Sequence, residues 1–397
     1  MAKIIMHIDL NAFFATAEEA RNPALRGKPI IVGHPGRRGV VSTANYEARK
    51  YGIHSAMPTY EALQRCPSLV IVPCDFQYYE MLSNSFFAFL RRITPLVEPA
   101  SIDEGYVDMT SILSKEKSPL SYLKKLQNDI LKELDLKCSI GIATTKFLAK
   151  MASDMKKPMG ITILRKKDLP ILLYPLPIES FWGIGRKTAP RLKALGIETI
   201  GDFKKRSDEN DKSLMDTLGK FYLTAKAWVN GEGNDKVDPT PYDPKSIGRS
   251  ETFPSDTNDY EEIVYKIQEL SREVSASAER EGKKGKTISL VIKDSNFHSH
   301  DKSITSKLAT NDFDDIFDNA LDLYEKNFLG RVIRLVGVSL SSLIDPKEET
   351  VQMSFWNYDE YEKMDRTKLL INDFNRRLKG DFLFSARKVK KNGNQKC

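Results

Sequence analysis

Two rhythms of apolar and polar residues alternate along this chain, and the switches between them mark its elements. Ile4-Ile5-Met6-His7-Ile8-Asp9-Leu10 is a nearly continuous apolar run, as in a strand buried on both faces, and it ends beside a carboxylate. Helical spacing comes next: Phe13, Phe14, Ala17 and Ala20 recur on one face, predicting a helix over 11–21 with Asn11 as its cap. Strands are expected at 29–33 and 40–43, separated by the turn-forming His34-Pro35-Gly36-Arg37-Arg38-Gly39, and a helix at 44–51 comes after them. A long helix over 76–93 lies between strands at 69–72 and 106–109. An amphipathic helix at 120–134, a strand at 138–143 and a helix at 146–153 complete an α+β core.

Beyond 167 the pattern shortens to small helices punctuated by glycine. Residues 230–244 have linker composition, flexible around Gly231 and Gly233 and then stiffened by Pro239, Pro241 and Pro244. A strand at 246–253, a helix at 260–281, strands at 286–293 and 302–305, a helix at 313–327 and a strand at 332–343 complete the pattern. That βαββαβ order predicts a four-stranded sheet backed by two helices.

Composition narrows the function. With 397 residues, 41% of them apolar, the chain has material for about two to four domains. It contains no apolar run long enough to span a membrane, and it starts directly in a strand without a basic-then-apolar leader, so a cytoplasmic protein is expected. Cys66, Cys74, Cys138 and Cys397 are scattered without metal-binding spacing, which suits a reducing compartment. His298-Ser299-His300 lies in a polar turn without ligand partners. The net charge of +7 permits nucleic-acid binding. Residues 246–345 depart from it, with 13 Lys and Arg against 18 Asp and Glu, a net of −5. Their acids crowd the predicted helices, whereas Arg249, Lys286, Lys293, Lys302 and Arg334 fall in strands, so a basic sheet face is expected.

The candidate chemistry is acidic. Ser101-Ile102-Asp103-Glu104-Gly105-Tyr106 sets adjacent carboxylates at a strand, and Asp9 ends the first strand. Three like charges brought close repel unless a cation lies between them. Hard oxygen donors suit Mg²⁺, which completes its shell with water and phosphate oxygens. Elsewhere, Phe181-Trp182-Gly183-Ile184-Gly185-Arg186-Lys187 followed by Leu192-Lys193-Ala194-Leu195-Gly196 has the form of a helix-hairpin-helix. Its turn offers backbone N–H groups to a phosphate without reference to base sequence.

Four motifs in order resemble the Y-family of translesion DNA polymerases, on the bacterial DNA polymerase IV branch. They are His7-Ile8-Asp9-Leu10-Asn11-Ala12-Phe13-Phe14-Ala15, Arg37-Arg38-Gly39-Val40-Val41-Ser42-Thr43-Ala44-Asn45-Tyr46-Glu47-Ala48-Arg49, Ser101-Ile102-Asp103-Glu104 and Ser153-Asp154-Met155-Lys156-Lys157-Pro158-Met159-Gly160. The resemblance implies a right-hand polymerase with a palm of mixed sheet at 1–10 and 74–166, small fingers at 11–73 and a helical thumb at 167–230. A linker at 231–245, a βαββαβ little finger at 246–345 and a tail at 346–397 would complete it. It implies two Mg²⁺ held by the catalytic Asp9, Asp103 and Glu104 with the Leu10 carbonyl. Thr43, Tyr46, Arg49 and Lys157, with the N–H groups of Phe13 and Phe14, would hold the triphosphate. Phe14 would be the steric gate against a ribose 2′-hydroxyl, and Ser42 the small roof over the new base pair. Gly183, Gly185, Arg186, Lys187, Arg249, Lys293 and Arg334 would contact primer-template DNA. Gln352-Met353-Ser354-Phe355-Trp356 resembles a sliding-clamp-binding peptide through Gln352, Met353, Phe355 and Trp356.

The resemblance thus implies a monomeric, low-fidelity DNA polymerase that extends a primer with deoxynucleoside triphosphates across damaged templates. No segment for proofreading is evident. A nucleotidyl cyclase and a clamp-recruited DNA-binding scaffold remain as alternatives from the residues alone. Two departures stand out: Asn11 occupies a position that is often acidic in the family, and Met159 one that is usually Asn.

Overall fold

The computed structural model describes residues 3–346 and divides into two compact units, Met1–Tyr242 and a second beginning at Asp243. In the first unit, strand β1 (Ile5–Leu10) is followed by helix α1 (Phe13–Arg21), strands β2 (Ile30–Gly33) and β3 (Val41–Ala44), and helices α2 (Tyr46–Arg49) and α3 (Thr59–Arg65). Strand β4 (Val70–Val72), helix α4 (Phe76–Ile93), strands β5 (Val97–Pro99) and β6 (Glu104–Asp108), and helices α5 (Thr110–Leu113) and α6 (Pro119–Leu134) come next. Strand β7 (Cys138–Ala143), helix α7 (Lys146–Asp154) and strand β8 (Ile161–Ile163) complete the α+β part.

The principal sheet has the order β5-β6-β1-β7-β8 and is mixed, antiparallel except between β7 and β8. Strand β1 is central and buried along its whole length, as its unbroken apolar run requires. Met6, Ile8 and Leu10 pack with Phe86, Leu90, Leu123 and Leu126 of α4 and α6 in one core, while α7 closes the other face through Phe147, Leu148 and Met151. Helix and strand approach closely there because Gly141 has no side chain. A Cβ at that position would lie 2.0 Å from the Ala149 carbonyl oxygen.

Expected and observed elements agree for most of the chain, and the differences have local causes. Strands β5 and β8 are three-residue edge strands, too short to show a period. Asn11 does not cap α1. The N-cap is Ala12, at φ 47° and ψ 49°, and the Asn11 side chain turns inward to Ser139 and Met159.

Strands β2, β3 and β4 form a separate three-stranded sheet in the order β3-β2-β4. Four short helices lie beyond the principal sheet at Ala189–Lys193, Ile200–Asp208, Lys212–Leu218 and Phe221–Val229, packed around Ile184, Leu192, Phe203, Leu214 and Tyr222.

The second unit has the expected βαββαβ order: β9 (Ser246–Thr257), helix Tyr260–Arg280, β10 (Lys284–Lys293), β11 (Ser299–Thr310), helix Phe313–Asn327 and β12 (Ile333–Ile344). Its sheet is antiparallel with the order β11-β10-β12-β9. Ile288, Leu290, Ile292, Val336, Val338 and Leu340 are buried with Ile263, Ile267 and Ile316 of the two helices, which leaves the other sheet face open. Gln352, Met353, Phe355 and Trp356 lie outside the described residues.

Candidate active site

The register of β1 against β6 sets Asp9 opposite Glu104, so two carboxylates face each other at one end of the sheet. Helix α7 brings a cation to them. Lys150 Nζ lies 3.2 Å from Asp9 Oδ2 and also donates to Glu104 Oε2. A second ammonium arrives just beyond that helix: Lys157 Nζ lies 2.6 Å from Asp9 Oδ2 and 2.8 Å from Asp154 Oδ1. His7, two residues before Asp9 on the same strand face, is fully buried with Nε2 3.5 Å from Glu104 Oε2 and Nδ1 2.8 Å from Ser153 Oγ.

This crowding splits the carboxylates. Burial pushes Asp9 above the usual carboxylate range, against the pull of Lys157 and Lys150. Burial also pushes on Glu104, but the neighbouring His7 and Lys150 outweigh it and hold that carboxyl well below its ordinary value. The Asp103 carboxylate accepts from Ser101 Oγ at 2.6 Å, and its backbone oxygen accepts from Leu10 N at 2.9 Å. Among the described residues no three acidic, histidine or cysteine groups converge enough to ligate an ion alone. Two hard carboxylates that have already drawn in two ammonium groups nonetheless suit a divalent cation whose remaining ligands come from phosphate and water.

A second cluster lies on β3 and α2. The Asn45 side chain caps α2 by accepting from Ala48 N at 2.9 Å and also accepts from Ile30 N at 3.1 Å, pinning the helix to β2. Arg49 lies with its guanidinium 4.6 Å over the Tyr46 ring. The Tyr46 hydroxyl is buried and has no hydrogen-bond partner among the described residues, as expected of a group kept for a ligand. Thr43 is on β3, half-buried. Phe13 is buried in the core, and half-buried Phe14 packs against the same core, stacking on Tyr79 at 4.4 Å and 15°.

The hairpin turn is exposed at Gly183, Gly185, Arg186 and Lys187. Gly183 has φ +97° and sits over the Phe221 ring, whereas a Cβ at Gly185 would meet nothing within 4 Å.

In the second unit the basic residues are placed differently from expectation. Arg249 is opposite the buried Val338 and so belongs to the helix side, where Nη2 donates to Ser277 Oγ at 3.1 Å and Nε is 3.6 Å from Glu273. Arg334 is 22% exposed, lies 4.3 Å from the Phe297 ring and pairs with Asp256 at 3.8 Å. Lys293, opposite Leu335, remains on the open side. Strand parity and a bulge between Ile333 and Leu335 decide these directions, and residue type does not reveal them.

Lys150, His7 and Ser153 were not singled out from the sequence. Signals were present: His7 alternates with Asp9 along β1, and Lys150, Asp154 and Lys157 recur at helical spacing.

A mixed sheet with acidic strand ends, a small three-stranded subdomain, a helical hairpin unit and a separate βαββαβ unit together define a right-hand polymerase. The impB/mucB/samB family matches residues 8–154, its C-terminal domain 244–355, and the IMS family HHH motif 166–197. The chain is 39% identical to DNA polymerase IV of Oceanobacillus iheyensis, covering 97% of this chain and 92% of that protein. It is 38% identical to DNA polymerase IV 1 of Bacillus subtilis, covering 95% and 91%. A solved Y-family DNA polymerase chimera of Dbh and Dpo4 superposes with TM-score 0.75 at 29% identity, covering 86% of this chain and 99% of that one. DinB from Sulfolobus solfataricus superposes at 0.57, also with 29% identity, over 85% and 98%. The chain belongs to the impB/mucB/samB family of Y-family translesion DNA polymerases, on the DNA polymerase IV branch. It is a DNA-directed DNA polymerase, which sets aside the cyclase and scaffold alternatives. The family implies primer-template DNA and nucleotides as substrates and dependence on a divalent metal. No helix among the described residues is long and apolar enough to cross a membrane.

Proposed function

We propose that Asp9, Asp103 and Glu104, with the Leu10 carbonyl, hold two Mg²⁺ ions for in-line attack of a primer 3′-hydroxyl on a deoxynucleoside triphosphate. When bound, the ions lower the pKa of the attacking hydroxyl and neutralise charge on the triphosphate and pyrophosphate. The observation carrying this proposal is the convergence of Lys150 and Lys157 on facing Asp9 and Glu104. His7 backs Glu104 from the buried side, with Nε2 3.5 Å from its Oε2. Lys157 and Arg49 hold the triphosphate by charge, Tyr46 and Thr43 by hydroxyl, and the N–H groups of Phe13 and Phe14 complete the cradle. Phe14 lies under the sugar and rejects an added 2′-hydroxyl by shape, and Ser42 leaves room above the nascent pair.

Residues 1–10 and 74–166 act as palm, 11–73 as fingers, 167–230 as thumb and 246–345 as little finger, joined by the linker at 231–245. The hairpin residues Gly183, Gly185, Arg186 and Lys187, together with Lys293, take the DNA backbone. The enzyme works as a cytoplasmic monomer, makes frequent errors without proofreading, and reaches the sliding clamp through Gln352, Met353, Phe355 and Trp356 in the tail.

Primer extension by the purified protein, with Mg²⁺ and with or without its clamp, tests this assignment. Asp103→Ala and Glu104→Gln are expected to lose about a thousandfold in rate while DNA binding persists. Wild-type rates in Asp103→Ala would remove it from the metal set, and no clamp stimulation would remove the clamp assignment.

A further inference from the structure

The turn that carries Lys157 has an unusual support. Met159, two residues on, adopts φ +59°, a left-handed conformation that a non-glycine residue rarely takes without being held there. Its backbone is gripped from both sides. Met159 N donates to Asn11 Oδ1 at 2.8 Å, and Met159 O accepts from Gln127 Nε2 at 3.1 Å. Both amides are buried, Asn11 at 1% exposure and Gln127 at 7%.

Each amide is in turn fixed to the sheet. The Asn11 Nδ2 group donates to Ser139 Oγ at 2.9 Å, and the Asn11 backbone N donates to Lys137 O at 2.7 Å. Gln127 Nε2 also donates to Cys138 O at 2.8 Å, so α6 is pinned to β7 at the point where it holds the turn. Asn11 comes two residues after Asp9, and Lys157 precedes Met159 by two. The residue that meets Lys157 and the clamp that sets the Lys157 backbone therefore leave from one strand end.

We propose that Asn11 and Gln127 are positioning residues for nucleotide binding: their side-chain amides lock Met159 in its left-handed conformation and so aim Lys157 at the triphosphate. The mechanism rests on Lys157 being a triphosphate ligand. It does not require Asn11 or Gln127 to touch nucleotide, metal or DNA. Because the Asn11 role depends on an acceptor oxygen facing Met159 N, a carboxylate there keeps that bond and an isosteric hydrocarbon does not. Because the strain arises from the Met159 Cβ against its own backbone, glycine at 159 makes the turn accessible without the clamp.

The experiment is steady-state single-nucleotide insertion by the full chain, with DNA affinity and melting temperature measured in parallel. In Asn11→Leu and Gln127→Leu, KM for the incoming nucleotide is expected to rise about tenfold, with DNA affinity unchanged. Asn11→Asp is expected to stay within about threefold of wild type, and Met159→Gly to restore nucleotide KM in the Asn11→Leu background. A lower melting temperature with unchanged nucleotide KM in the leucine variants would overturn the proposal and leave the clamp a purely structural feature. So would failure of both Asn11→Asp and Met159→Gly to preserve or restore KM. Lys157→Ala separates the two levels. If it leaves nucleotide KM unchanged, the assignment of Lys157 itself fails. If it raises KM while the leucine variants do not, the clamp alone fails. Should Asn11→Leu not fold, Gln127→Leu and Asn11→Asp carry the same comparison.

Discussion

Phe14 shows how one side chain's role depends on its neighbour. Its ring stacks on Tyr79, which donates its hydroxyl to Glu18 Oε1 at 2.8 Å from a fully buried site. A ring held on both its own backbone and a fixed partner does not swing away easily, so the proposed gate would discriminate by shape and be pre-organised. Phe14→Ala is expected to reduce the ratio of deoxy- to ribonucleotide kcat/KM by about 100-fold. Tyr79→Leu, which removes the stack and keeps the gate, is expected to reduce it by about three- to tenfold. An unchanged ratio in Phe14→Ala would remove the gate assignment. Phe13 and Phe14 lie on one apolar face in the sequence, and only the structure shows which of the two rings is left half-buried. Tyr79 carried no signal either, because an aromatic on an amphipathic helix is ordinary core until its partner is known. Lys150 showed only its spacing with Asp154 and Lys157, since a lysine on a helix belongs to solvent until packing at Gly141 presses that helix onto the acidic strand end.

At the scale of elements, legibility depends on length and period. The helices Phe76–Ile93 and Phe313–Asn327 emerge with their expected ends because three or more turns of apolar spacing fix them. The hairpin was legible by its glycines, and these now separate into two kinds. Gly183 needs positive φ, and a Cβ there would press 2.6 Å from Phe221, so Gly183→Ala is expected to unsettle the turn itself. Gly185 has room for a Cβ and no positive φ. Gly185→Ala should keep the wild-type melting temperature yet bind DNA several-fold more weakly, because the proposed contact brings a phosphate close to that backbone. Full DNA affinity in Gly185→Ala would remove the turn from the DNA-contact set.

Nearby, Asp211 caps the helix Lys212–Leu218, and hydrogen bonds from Ser213 and Arg206 hold it at about 2, below its usual 3.8. A depressed folded value means its stabilisation is complete above 3.8 and fades as pH falls toward about 2. Asp211→Asn keeps the capping acceptor and loses the charge. Its deficit in melting temperature should therefore be constant near neutrality and close over that acid window. A deficit unchanged by acid would deny the pairing with Arg206.

For the molecule as a whole, net charge was a poorer guide than strand parity. Residues 246–345 are net acidic, and the bases in their strands predict a basic sheet face. The open face instead carries hydroxyls in register: Ser289 lies opposite Ser303 and Ser339, and Thr287 opposite Thr305 and Ser341. Thr287 Oγ1 lies 3.0 Å from Thr305 Oγ1, joining the row across strands. Hydroxyls and backbone N–H groups position a phosphate without neutralising it, so contacts made there release few counterions. If this face meets DNA, the salt sensitivity it adds would come from a small number of cations, and Lys293 on the open side is the proposed one. Arg249 is turned to Ser277 and Glu273 on the helix side and has no reason to contribute. Measured as log K against log salt for the full chain on primer-template DNA, Lys293→Gln should make the slope shallower by about one, and Arg249→Gln should leave it unchanged. An equal effect from Arg249→Gln would mean that its guanidinium leaves Glu273 for a phosphate. The DNA would then bind this unit along the sheet edge at β9 as well as across the open face.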